Sequence, residues 1–138
     1  MKIIIIGDGK VGYKLARQLS TEKYDVVLID SDEKKLKFAT DHLDIACVAG
    51  NGADAEVLKQ ADIAHADLAI ACTSEDECNM LSCLIARKLG ARHTLRGEWN
   101  CWNFRSVRTE FWKECGYLIC IKSFRSVCLS VQLSVEKM

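Results

Sequence analysis

The sequence predicts an α/β fold, a doubly wound parallel β-sheet with helices on both faces. Three observations predict it. Short apolar runs recur along residues 1–94; stretches with apolar residues three and four apart separate them; and each run stops at a glycine, an acid or a small polar residue. Strands alternating with helices pair in parallel through right-handed crossovers, which place helices on both faces of one sheet.

Each element has its own signal. Lys2–Ile6 is a β-branched run suited to a strand buried on both faces, and it stops at Gly7. Val11, Leu15, Ala16 and Leu19 form the apolar stripe of a first helix closed by Ser20-Thr21. Val26–Ile29 is a second strand ending at Asp30. Asp32 is placed to cap a helix with Leu36, Ala39, Thr40 and Leu43 along one side. A third strand fits Ile45–Ala49 and breaks at Gly50-Asn51-Gly52, after which Asp54 starts a short helix through Val57 and Leu58. Leu68–Cys72 reads as the fourth strand. The helix after it is expected to start with Ser74 and Glu77 as a capping box, to turn Leu81, Leu84, Ile85 and Leu89 inward, and to end at Gly90.

Composition narrows the class. The 138 residues are 49% hydrophobic and 28% charged, with 19 basic against 19 acidic side chains. That balance offers no electrostatic case for nucleic acid or an anionic membrane surface. The apolar runs, such as Leu68–Cys72, are far shorter than the ~20 residues of a spanning helix, and no signal-peptide pattern opens the chain. Eight cysteines include no Cys-x-x-Cys, and His42, His65 and His93 stand apart, so no metal site is expected and the thiols read as reduced and structural.

Gly7-Asp8-Gly9-Lys10-Val11-Gly12 is a G-x-G-x-x-G motif that follows a buried strand and opens a helix, the setting in which it carries weight. Gly7 allows the tight turn, Gly9 lets the backbone approach a pyrophosphate, and Gly12 lets the helix pack on the strand. The helix-start amides and dipole would hold the phosphate charge. Asp30, 18 residues past Gly12, is placed to accept hydrogen bonds from ribose hydroxyls and to repel a 2′-phosphate, which favours NAD over NADP. The bland reading is a glycine turn followed by a chance strand-end acid. Gly50-Asn51-Gly52 would pass near the adenosine or be a plain turn. Thr73 and Ser74 would contact a ribose or phosphate, cap the next helix, or do both, and Lys35 would flank the adenine or, the favoured reading, be a solvated helix face.

With those residues placed, residues 1–94 resemble the RCK or KTN domain, a Rossmann-like nucleotide-binding domain, with the likeness nearest to Trk-type potassium uptake regulators. The likeness rests on Met1–Gly12, Val27–Asp30, Gly50–Gly52, Ala66–Thr73, Asp76–Asn79 and Ala86–Gly90 in that order and spacing. It implies a non-catalytic cytoplasmic subunit, peripheral to the inner face of the cell membrane and not inserted in it. Such a subunit binds NAD(H), or in some members ATP or ADP, and forms homodimers or larger rings docked on a transmembrane potassium transporter. By likeness, Gly7, Gly9, Lys10, Val11 and Gly12 hold phosphates, Asp30 the ribose, and Thr73 lies near the pyrophosphate. Asp8, Ser31, Asn51, Gly52 and Ser74 complete the candidate set, and Asn79 belongs to the helix start.

Residues 95–138 depart from this pattern, although the whole chain is expected to form one domain. Trp99, Trp102 and Trp112 and half the cysteines fall there, and no aspartate follows Asp76. Charge changes from net −3 over residues 1–94 to net +3 over the remainder, with no proline or linker between them. The expected nucleotide-facing arginine of the fifth strand has Arg96 as its candidate, one residue early, and such a slip turns a side chain to the other face. Phe111–Gly116 faintly echoes a helix end and Leu118–Ile121 a sixth strand. A frame disturbance near codon 95 would account for the break; a diverged half or a segment adapted to a partner are the competing readings. Two other functions stay open, a small NAD-dependent oxidoreductase and a truncated assembly subunit that binds no nucleotide.

Overall fold

A computed structural model describes residues 1–97 and the strand 119–121. Its elements are β1 (Lys2–Ile6), α1 (Lys10–Thr21), β2 (Asp25–Asp30), α2 (Glu33–His42), β3 (Ala46–Ala49), α3 (Ala55–Gln60), β4 (Leu68–Ala71), α4 (Asp76–Lys88), β5 (His93–Gly97) and β6 (Ile119–Ile121), with one 3₁₀ turn at Ile63–His65. Every pair in the sheet is parallel, and the order is β3-β2-β1-β4-β5-β6. The chain therefore reverses its winding between β1 and β4, and the carboxyl ends of those strands form the crevice where this architecture places ligands. The expected fold class stands, with strand ends shifted by a residue at β2, β3 and β4.

Alternation along the strands divides the core in two. Ile3, Ile5, Val26, Leu28, Leu68, Ile70 and Leu95 face Leu15, Ala16 and Leu19 of α1 and Leu36 and Ala39 of α2. Ile4, Ile6, Val27, Ile29, Ala69 and Ala71 face Leu58 of α3, Ile63, and Cys83 and Ala86 of α4. Ile3, Ile4, Ile5, Leu28 and Ile29 have no exposed surface, and each such side chain contributes roughly 1.5–3 kcal/mol by leaving water. The edge of the sheet opposite the crevice is tied by Lys2 Nζ, 2.7 Å from Asp62 Oδ2, with His65 Nδ1 2.6 Å from Asp62 Oδ1.

Helix α4 differs from the expected stripe. Its buried residues are Asn79, Ser82, Cys83 and Ala86, whereas Leu84, Ile85 and Leu89 are half-buried and Leu81 is 46% exposed. Small side chains lie innermost because the helix runs close to the loop after β3: a Cβ on Gly52 would lie 3.6 Å from Ser82 Oγ. The bulky residues sit on the flank, where periodicity alone mistakes them for the centre of the buried face. Arg96 is the other correction. It pairs in register with Ala71, so its side chain joins the α3/α4 face, where it is 4% exposed and its charge reaches the Cys83 thiol.

Ala86→Leu is accordingly expected to destabilise the domain by about 1–3 kcal/mol through overpacking. Leu81→Ala should stay within about 0.5 kcal/mol of the parent. Urea denaturation of the two variants measures both.

Candidate nucleotide-binding site

Four chain segments converge at the carboxyl ends of β1, β2, β3 and β4 and enclose a cleft of about 730 Å³. The glycine loop supplies Gly7, Gly9, Lys10 and Val11; the end of β2 supplies Asp30 and Ser31; the turn after β3 supplies Gly50, Asn51 and Gly52; the turn after β4 supplies Thr73 and Ser74. Ile6 and Ile29 form its apolar floor, and Glu75, Glu77, Cys78 and Leu81 line the α4 side. Three of the expected residues stand outside the lining. Gly12 lies beneath the loop, Asp8 turns to a shallower depression between α1 and α2, and Arg96 is buried against α4. Lys35 lines both the cleft and the depression, so it is not merely a solvated face.

The glycines differ in what they do. Gly7 has φ +107°, a conformation strained for any side chain, and its amide donates to the Ile29 carbonyl at 2.7 Å. A Cβ on Gly12 would sit 1.7 Å from the Gly7 carbonyl oxygen, so the glycine is what lets α1 start against β1. A Cβ on Gly9 would meet nothing within 4 Å. Packing within the chain therefore does not require Gly9 to lack a side chain, and Gly9 borders both the cleft and the depression between α1 and α2.

Helix starts differ in the same way. Asp32 caps α2 by accepting from the Lys34 amide at 3.0 Å, and Asp54 caps α3 by accepting from the Glu56 amide at 2.9 Å. The start of α1 at Gly9 has no side-chain cap and no acid in its first turn, so no side chain occupies its terminal amides at the cleft. Asp30 is held in position across from them: its Oδ2 accepts from the Asp8 amide at 2.7 Å and its Oδ1 from the Asp32 amide at 2.8 Å.

The turn after β4 is built differently from the expected capping box. The N-cap of α4 is Glu75, not Ser74, and no side chain caps it. Asn79, with no exposed surface, reaches back instead. Its Oδ1 accepts from the Thr73 amide at 2.8 Å and lies 2.8 Å from Thr73 Oγ1, while its Nδ2 donates to the Thr73 carbonyl at 3.0 Å. Asn79 thus fixes the loop that borders the cleft. The Cys72 thiol, buried at the cleft wall, is pushed up to about 12 by desolvation, and Cys83 likewise, so both stay protonated and unreactive at neutral pH. Cys47, Cys72, Cys78 and Cys83 are free thiols.

Residues 3–96 match the TrkA-N domain. The chain belongs to the TrkA-N family. Among curated relatives, it is 40% identical over 89 residues to the Trk system potassium uptake protein TrkA of Azorhizobium caulinodans, covering 64% of this chain and 19% of that protein. It is 40% identical over 88 residues to a Trk system potassium uptake protein TrkA homolog of Methanothermobacter thermautotrophicus, covering 64% of this chain and 41% of that one. The match thus spans about one fifth of the first relative's length and two fifths of the second's. Solved structures share the TrkA-N fold. The GsuK channel bound to NAD superposes with a TM-score of 0.66 at 23% identity over 86% of this chain and 21% of that one. GsuK bound to ADP gives 0.65 at 23% identity over 87% and 30%. The TrkA-N domain of the Escherichia coli inner membrane protein ybaL gives 0.72 at 15% identity over 95% and 93%. A short-chain dehydrogenase/reductase of Veillonella parvula also superposes, at 0.59 and 17% identity over 70% and 46%, so the fold by itself does not separate sensing from catalysis. Among the described residues of this TrkA-N chain, no helix is long and apolar enough to cross a membrane, and no cluster could hold a metal ion.

Asn79→Ala is expected to leave buried polar groups of Thr73 unpaired and to cost about 1–3 kcal/mol of stability, with most of the loosening in the turn after β4. Hydrogen exchange of the Thr73 amide, compared with that of β1 amides, locates the change.

Proposed function

We propose that this chain is the nucleotide-sensing domain of a Trk-type potassium uptake regulator, a cytoplasmic, non-catalytic subunit that binds NAD(H), with ATP and ADP as alternative ligands. The observation that carries the reading is the uncapped start of α1 opening onto the cleft at Gly9, opposite Asp30. The residues present fit such a ligand: open space over Gly9 admits a phosphate against main-chain amides, and Asp30 offers carboxylate lone pairs to sugar hydroxyls. Gly7, Lys10, Val11, Gly12, Ser31, Asn51, Gly52, Thr73 and Ser74 would shape or line the bed. Arg96, buried on the α4 side, would act through packing rather than contact. A bound dinucleotide would supply charge and contact area, not chemistry.

The oxidoreductase reading has less support. Hydride transfer needs an acid or base beside the reacting carbon. No histidine stands at the cleft: His42 ends α2, His65 follows α3 and His93 opens β5, all at the sheet edge away from it, and an acid or base there would have to be a carboxylate or a lysine of the lining. Regulation in the proposed subunit is linkage. Ligand contacts that are stronger in one arrangement of paired subunits shift the population toward it by no more than their differential affinity, and the moving assembly bears on the transmembrane potassium transporter.

The expected single domain, and the frame disturbance proposed for its later part, fall on residues that, beyond 97 and outside 119–121, are not among those described. Phe111–Gly116 lies there too. Translating the locus in its other two frames tests the disturbance: a TrkA-like continuation in one of them is the expected result, and its absence from both removes the idea.

Two variants test the site by calorimetric titration with NAD. Asp30→Ala is expected to weaken binding about ten- to hundredfold, the worth of a hydrogen bond to a charged group, and NADP should bind the parent more weakly than NAD. Gly9→Ala should leave the thermal melt unchanged, since its Cβ meets no neighbour, yet reduce affinity at least about tenfold. Unaltered NAD affinity in both variants would remove the cleft as the binding site.

A further inference from the structure

Asp8 stands at the second position of the glycine loop and is only 6% exposed. Its amide donates to Asp30, but its carboxyl points to the other side of the loop, into the depression of about 550 Å³ bounded by Tyr13 of α1 and Phe38 of α2. There its Oδ1 is buried with no hydrogen-bond partner. A carboxylate so placed is poorly solvated, which disfavours its ionised form.

The groups around it come from every element packed against it. Asp30 ends β2, Asp32 sits in the following turn, Lys34 and Lys35 stand on α2, Lys10 and Tyr13 on α1, and the Cys47 thiol of β3 and the buried Cys72 thiol after β4 feel its charge. Burial raises the Asp8 pKa most, Asp30 and Asp32 raise it further, and Lys35 opposes them. The next residue, Gly9, borders both the cleft and the depression. A charge on Asp8 therefore lies one residue behind the bed proposed for phosphate.

We infer that the Asp8 carboxyl makes nucleotide binding proton-linked: ionised, it opposes the ligand's phosphates from behind the glycine loop, and protonated, it does not. The inference rests on the reading of the cleft given under Proposed function. Phosphate arriving over Gly9 favours the protonated acid, so binding draws a proton from solvent onto Asp8. Affinity falls as pH rises through the pKa of Asp8, which lies above the ordinary carboxylate value. Lys35, lining both spaces, moderates the effect as the positive charge that opposes the rise of the Asp8 pKa.

The test is calorimetry of the full chain with ADP and with NAD from weakly acidic to neutral pH, in two buffers of different ionisation enthalpy, on the parent and on Asp8→Asn. Asp30 and Asp32 are present in both proteins, so the comparison isolates Asp8. The parent is expected to take up protons on binding and to lose affinity as pH rises. The variant should show smaller uptake and tighter binding at neutral pH, by about tenfold for each unit that bound phosphate would raise the Asp8 pKa. Circular dichroism verifies the fold of the variant, and Asp8→Ala replaces it if the amide is not tolerated. Identical pH profiles and proton uptake in parent and variants, or weaker binding by the variants at neutral pH, overturn the inference while leaving the cleft intact. If the folded parent binds neither nucleotide at any pH, the proposed function falls and this inference with it.

Discussion

The arrangement depends on a single close approach, that of the first turn of α1 to the end of β1. The Gly7 carbonyl occupies the place where any Cβ at position 12 would stand. Hard-core repulsion at such a distance leaves no relaxed alternative, so a side chain there would push the helix off the sheet. Once the helix is seated, its start points along the crevice between β1 and β4, and the positive φ of Gly7 turns the chain through the tight loop between them. The loop, the exposed amides and the position of Asp30 all follow from that contact, because Asp30 is clamped by the amide of the loop's own second residue.

Much of this was legible in residue order. Ile3–Ile6 and Val26–Ile29 announce strands buried on both faces, and Asp32 and Asp54 mark helix starts that the structure caps with those same carboxylates. The glycine motif was readable because its three glycines and Asp30 serve geometry that short spacing encodes. Three other features were not. In α4, periodicity favoured Leu81 and its companions, whereas the loop after β3 selects small residues at the centre of the contact; distance to a segment some thirty residues away leaves no trace in a local window. Asn79 holding Thr73 is likewise a contact between a helix and the turn before it, and the Ser74–Glu77 spacing mimicked a simpler solution. For Lys35 the sequence left a cleft-flanking role beside a plain solvated face, and only the placement of α2 beside the glycine loop decides between them.

The family match and the readable part of the sequence end together, at residue 96 and near Thr94. What is shown is a TrkA-N domain with a formed crevice. Potassium uptake stands in the names of relatives that the match covers only in part, about one fifth of one and two fifths of another.

The unequal capping of the helix starts also gives the crevice a sense of direction. An anion nearing α2 or α3 meets a carboxylate already seated on the terminal amides, while at α1 it meets bare N–H groups. The start of α4 also lacks a capping side chain, but Asp76 and Glu77 stand in its first turn, so of the helix starts that border the crevice only α1 combines open amides with no acid in its first turn.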